Sequence, residues 1–393
     1  MLSREENSLI QIQALNYFVN SLAGIFLQIY IFRLTGFVGI VLFNLSSYAF
    51  LLIFYSISGF LLHKYSTNLL IRSGIIITIL SYLTLVLLKT NAVYYLIPLG
   101  AVLGTGWGLY WSGFNLSQYV LTQSGSRNHY FGKGLSLSNV AFAVGPILGG
   151  LIVTFINSFT HQLYTGYYAL FFIVVLVNLP LLLMTKDLPS HVGIKFSFRQ
   201  YFKEKRITKW KIVLSQNFIS GLWDVAFNTL SAVLLFLIIK NDAGVGSIRA
   251  SILLFSAVVS FFAGKVLSRF KSFYIVGAIG TALGLIIFAV WQNWTGILLL
   301  GLLYGAFIPF LNVPLSSAIL NTIDENKDAW QEKYYMFLDR DGILGIARVL
   351  SYVILYFLFL FFDKTIVAKD WFIAVSIFPL LLGVLLYKMY KNV

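Results

Sequence analysis

Apolar runs of about twenty residues, each closed by a short polar or charged stretch, recur along the chain from Leu9 to Tyr390. A helix rising 1.5 Å per residue needs about that many residues to cross a hydrocarbon core of about 30 Å. The spacing predicts twelve spans, near 9–32, 38–62, 68–88, 93–120, 134–157, 163–184, 213–239, 245–268, 273–292, 295–321, 338–361 and 371–390. Polar residues inside the runs fall on stripes. Span one carries Gln13, Asn16, Asn20 and Gln28, and span seven carries Asn217, Ser220, Asp224, Asn228 and Ser231 at helical spacing. Lipid satisfies none of these groups, so the stripes must face protein or water.

Composition removes the soluble alternative. The 393 residues are 59% hydrophobic and 11% charged, with a mean hydropathy of +0.85, whereas about a quarter of a soluble domain is charged. The fold class is therefore all-α integral membrane. Met1–Ser8 leads into span one without a small-residue cleavage site, so that span is expected to be retained.

A net charge of +14 would suggest nucleic acid in a soluble chain, but here the cations follow the positive-inside rule. With the N-terminus cytoplasmic, twenty-one Lys and Arg fall inside, six outside (Arg33, Lys89, Lys240, Arg249, Lys364, Lys369), and Arg348 lies within a span. Both termini are expected in the cytoplasm of a cell with an inner membrane, and nucleic acid is not an expected partner. The basic stretch 186–212 reads as an inside linker beside anionic lipid, dividing 1–185 from 213–393 as two six-helix bundles. The two parts repeat one another weakly. Gly59, Lys64 and Tyr65 at the end of span two have counterparts in Gly264, Arg269 and Phe270 at the end of span eight, and Asn115 and Asn312 each stand seven residues after a glycine. Internal repeats of this kind occur in secondary transporters.

At these residues the chain resembles the major facilitator superfamily, whose fold is two six-helix bundles with a solute site between them. The family's loop signature is degenerate here: Gly59 and Lys64 match, but His63 replaces the aspartate. Span five is similar to the proline-glycine motif of the family's antiporters, with Gly132, Gly145, Pro146, Gly149 and Gly150 in place and Ala141 substituting a glycine. That resemblance implies export. Physically, the small residues admit a neighbouring helix and Pro146 frees one carbonyl. The span-four arginine of many proton-coupled exporters of the family has no counterpart, since Gly104 and Trp107-Gly108 occupy the turn.

A charge at the centre of a span costs at least ~2.5 kcal/mol, so each one needs a reason. Asp224 and Arg348 lie at a shared depth of roughly 15–17 Å by residue count. They read either as a proton-sensitive pair facing a cavity or as a structural tie. Asn16, Asn20, Gln28, Asn228 and Asn312 are the expected solute ligands, with Trp107, Trp111, Asn115 and Gln118 on one face of span four and Tyr352 beside Arg348 on span eleven. Aromatic area beside a few amides suits an amphipathic or planar organic solute. The packing and gating residues are Gly59, Lys64, Gly132, Gly145, Pro146, Gly149, Gly150, Gly264 and Arg269.

The four histidines stand in loops or at span ends without metal-ligand spacing, and no phosphate-cradling loop is present. No cofactor and no enzymatic activity are expected. The reading is a monomeric secondary transporter of a small solute, with protons as the coupling ion and membrane lipids as neighbours. Its alternatives are a lipid flippase or solute importer of the same fold, and a non-transporting sensor or scaffold.

Overall fold

The computed structural model describes residues 2–122, 127–191, 196–197, 199, 201, 208–225, 229–270, 272–325 and 330–391, and among them every regular element is helical. The first helix, α1 (Arg4–Lys64), opens with a capping box, the Ser3 hydroxyl accepting the Glu6 N–H at 3.0 Å and the Glu6 carboxylate accepting the Ser3 N–H at 2.7 Å. It has 61 residues, and drawn straight it would run about 90 Å, three bilayer cores end to end. Instead it breaks at Gly36, whose φ of +68° only glycine adopts without strain. Gln28 and Asn44, which would stand about 24 Å apart on a straight helix, exchange hydrogen bonds of 3.2 and 2.7 Å. One element thus contains the first two predicted spans, doubled back on each other.

The chain continues through α2 (Thr67–Leu88), a 3-10 turn at Lys89–Tyr95, α3 (Leu96–Leu121), α4 (Arg127–Thr160) and α5 (Thr165–Met184). Beyond the linker come α6 (Thr208–Val225), α7 (Ser231–Ile239), α8 (Asp242–Arg269), α9 (Phe273–Val290), α10 (Trp294–Glu325), α11 (Trp330–Phe361), α12 (Lys364–Val375) and α13 (Ile377–Lys391). The seventh span covers α6 and α7, with a π-type turn at 229–230 and residues 226–228 outside the described set. Two departures from the predicted spans have local causes. The twelfth is interrupted at Ser376, where Pro379 leaves the Val375 carbonyl without its helical donor. Lys364 and Lys369, read from sequence as loop cations, belong to α12, which starts from Asp363 accepting the Thr365 and Ile366 amides at 2.9 and 3.0 Å.

Nine helices of the described residues are long and apolar enough to cross a membrane. The distribution of side chains agrees. Phe155, Phe159 and Phe361 are 72%, 79% and 75% exposed, while Asn16, Gln28, Asn44, Asn178 and Gln216 are buried, the reverse of a soluble protein's arrangement. Tyr94, Tyr95, Trp291 and Trp294 are exposed at helix ends, where an interfacial aromatic belt would lie. Residues before and after the linker meet along two long junctions, α1 against α11 and α4 against α8.

The α4–α8 junction is close because its side chains are small. A Cβ at Gly149 would stand 2.6 Å from Phe26 Cε2, one at Gly150 would stand 2.6 Å from the Asp242 carbonyl oxygen, and Gly246 lies against the Pro146 carbonyl. Gly145 faces Ser21 and the Leu22 amide nitrogen. The backbones of α1, α4 and α8 therefore approach without intervening side chains, as at small-residue interfaces in lipid.

Candidate functional site

Between these junctions lies a cavity of about 330 Å³, with walls from α1, α3 and α4 on one side and α7, α8 and α11 on the other. Its floor is aromatic. Trp107 and Trp111 of α3, Tyr17 and Tyr48 of α1 and Phe142 of α4 line it, with Tyr17 6.0 Å from Trp111 and 5.9 Å from Phe142 between ring centroids. These offset and edge-on contacts hold the rings as a fixed surface. Pro146, one turn beyond Phe142, supplies no N–H to the Phe142 carbonyl.

The polar groups divide into those that face the cavity and those that serve helix contacts. Asn20, Gln28, Ser231, Arg249 and Arg348 line it. Gln28 is also held by Asn44, and the Asn20 amide donates to the Asn16 carbonyl at 2.9 Å. Asn16 is buried beside a small adjoining space lined by Asn20, Tyr110, Trp111 and Asn178. Its Nδ2 has no hydrogen-bond partner.

Arg348 is the hub of the charged wall. Its Nε donates to Asp224 Oδ2 at 2.6 Å, a second nitrogen reaches the same oxygen, and the guanidinium lies 5.2 Å from the Tyr48 ring centroid. Tyr48 stacks on Tyr352 at 5.3 Å, and the Tyr352 hydroxyl shares a 2.7 Å hydrogen bond with Thr229. Tyr352 thus supports the wall through Tyr48. Asn228 lies outside the described residues.

Other sequence candidates stand elsewhere. Asn115 donates to Tyr55 Oη and to Asp341 Oδ2, both at 3.2 Å, and Arg340 holds Asp341 at 2.7 Å, so Asn115 bridges α3 to α11 away from the cavity lining. Gln118 donates to Tyr130 Oη at 3.4 Å. Asn312 is exposed on α10. Lys64 and Arg269 lie beside the next ring in sequence, Tyr65 at 5.7 Å and Phe270 at 5.4 Å. A Cβ at Gly59 would meet the Phe196 ring at 2.8 Å, whereas Gly264 faces open space. Gly132 lies in α4, and its surroundings fall outside the described residues.

Two features escape the sequence reading. Arg249, counted there among outside cations, stands in the cavity wall; the available signal is its place seven residues into the helix that starts at Asp242. The second is a lock at one end of the α4–α8 junction. Asp242 pairs with Arg33 at 3.2 Å and accepts from Tyr167 Oη at 2.5 Å, while Arg33 covers the Phe236 ring at 4.3 Å. The neighbouring Ala243 amide donates to Thr154 at 3.0 Å. Nothing in the local sequence ties Arg33 to a residue two hundred positions away.

The model describing the Major Facilitator Superfamily matches residues 9–329. "Uncharacterized protein YqgE" of Bacillus subtilis (strain 168) is 26% identical over 342 residues, covering 84% of this chain and 77% of that protein. Among solved structures, the nucleoside transporter NupG superposes with a TM-score of 0.66 at 14% identity, over 99% of this chain and all of NupG. A structure reported for proton dependent oligopeptide transporters gives a TM-score of 0.73 at 13% identity, with 98% of each chain covered. At such identities the likeness speaks for the fold.

Proposed function

The chain belongs to the Major Facilitator Superfamily and is a membrane transporter of that type, and from this premise we propose that it exports a small amphipathic organic solute in exchange for protons. In this reading 1–185 and 213–393 are two six-helix bundles joined by a cytoplasmic linker, the protein works as a monomer, and both termini are cytoplasmic. The observation that carries the proposal is the cavity, whose walls come from both halves of the chain and include Arg348, which is paired with Asp224.

The chemistry follows from the surroundings of the pair. An adjacent cation favours the ionised carboxylate, and removal of that cation or of water opposes it. Rocking of the halves would carry Tyr48 away from Arg348 and change the solvent around the pair. Asp224 would then take a proton on one side of the membrane and lose it on the other. Export rests on the α4 motif, since Gly145, Pro146, Gly149 and Gly150 stand where α4 meets α1 and α8. Small residues at such a seam let the helices roll while remaining in contact.

A thermal-shift screen of the purified protein identifies a stabilising solute, and proteoliposomes loaded with it and with a pH dye test the coupling. Outward solute movement should acidify the lumen when the protein faces as it does in cells. Movement of the solute with no pH change would remove proton exchange, and no movement of any stabilising solute would favour a sensor.

A further inference from the structure

Three arginines of the helical interior are matched with aspartates: Arg33 with Asp242, Arg340 with Asp341, and Arg348 with Asp224. Arg249 is not. It is partly buried in the cavity wall, and no ion pair or hydrogen bond to it occurs among the described residues. The titratable neighbour acting on it is the phenol of Tyr304, which is neutral. A guanidinium does not shed its proton inside a protein, so the cavity wall holds an uncompensated positive charge.

The charged residues that line the cavity are two arginines, of which Arg348 has a carboxylate beside it, that of Asp224, and Arg249 has none. One anionic charge brought in by a ligand would balance the wall. A guanidinium offers a planar fork of donors that binds a carboxylate through two parallel hydrogen bonds. The rest of the lining is the opposite of a charge site: Trp107, Trp111, Tyr17 and Phe142 bring aromatic rings to the cavity. At about 330 Å³ the space lies at the small end of ligand pockets.

We infer that Arg249 is an anion-binding residue, and that the cavity takes an organic monoanion whose carboxylate docks on Arg249 while its apolar or aromatic body lies against the tryptophans. The inference rests on the transport reading only for the fate of the ligand, because binding is a separate measurement. Neutralising Arg249 also gives a reason for the loaded protein to rearrange more readily than the empty one. Closing the walls around an unbalanced charge is unfavourable, because a desolvated ion without a partner loses its hydration and gains nothing in return. The bound carboxylate removes that cost.

The test uses the full-length protein in detergent and three probes of one shape and different charge: 2-naphthoate, 2-naphthamide and 2-naphthylmethylamine. The expected result is that 2-naphthoate binds at least tenfold more tightly than the amide by titration calorimetry and that the amine does not bind. Arg249→Gln should abolish the preference for naphthoate while leaving weak amide binding, and Arg249→Lys should retain part of it. Equal affinity for naphthoate and amide in the unaltered protein, tighter binding of the amine, or no binding of any probe would overturn the inference without reference to a variant. Naphthoate bound through Arg249 in a protein whose cavity opens to one side only would leave the anion site standing and remove transport. A cavity open to both sides that shows no preference for naphthoate would do the reverse.

Discussion

Arg348 donates to Asp224 across 2.6 Å while lying 5.2 Å from the ring of Tyr48. The first contact ties α11 to α6, within the second half of the chain. The second reaches across to α1, in the first half. Relative movement of the halves therefore keeps the ion pair intact but alters what covers it.

Asp224→Asn should abolish solute accumulation driven by a proton gradient and leave solute exchange within about a factor of three. Arg348→Ala should impair both, because it leaves a carboxylate unpaired in a low-dielectric wall, at a cost of about 2 kcal/mol for side chains that keep some water. Counterflow and gradient-driven uptake in proteoliposomes separate the two. Gradient-driven accumulation by Asp224→Asn would show that the pair is a structural tie.

The glycines of α4 and α8 differ in what surrounds them. Gly145→Leu would drive a side chain into Ser21 and the Leu22 amide, whereas Gly264→Leu meets open space. The expected outcome is loss of folded protein or of activity for the first, with stability reduced by about 3 kcal/mol or more, and a thermal midpoint within about two or three degrees of wild type for the second. Size-exclusion profiles and melting curves read both, and an intact Gly145→Leu protein would contradict the packing at this seam.

The lock at Asp242 makes a prediction about conformational balance. Asp242→Asn keeps the shape and weakens the pair with Arg33, and Tyr167→Phe removes one donor. Each should favour the state in which this end is open, at about 1–2 kcal/mol per lost contact, seen as faster labelling of a cysteine at Ala243. Unchanged labelling in both variants would mean that the cluster does not hold the two halves together.

Much of this was legible in the sequence because lipid enforces simple rules. Apolar run length located the helices, and the rarity of charge made Asp224 and Arg348 stand out and be placed at one depth, where a hydrogen bond joins them. The small residues of span five marked a helix contact because only small side chains admit one. What escaped was non-local or depended on turn geometry. The break at Gly36 falls in the gap expected between the first two spans, but Arg249, seven positions after Asp242, is a cation in the cavity wall that a span-end reading assigns to water. Asn115 and Gln118 share the predicted face of α3 with Trp111, yet the bundle turns them toward Asp341 and Tyr130. Helical spacing says which residues share a face but not which neighbour meets it.

The chain contains no cysteine, so a single introduced thiol reports its own surroundings. Asn20→Cys places one in the cavity wall, and a membrane-impermeant maleimide can be applied to right-side-out and to inverted vesicles. A transporter that alternates its access should be labelled from both sides, at rates that solute changes in opposite directions. Labelling from one side alone, persisting when Asp242→Asn is added to release the lock, would contradict transport through this cavity.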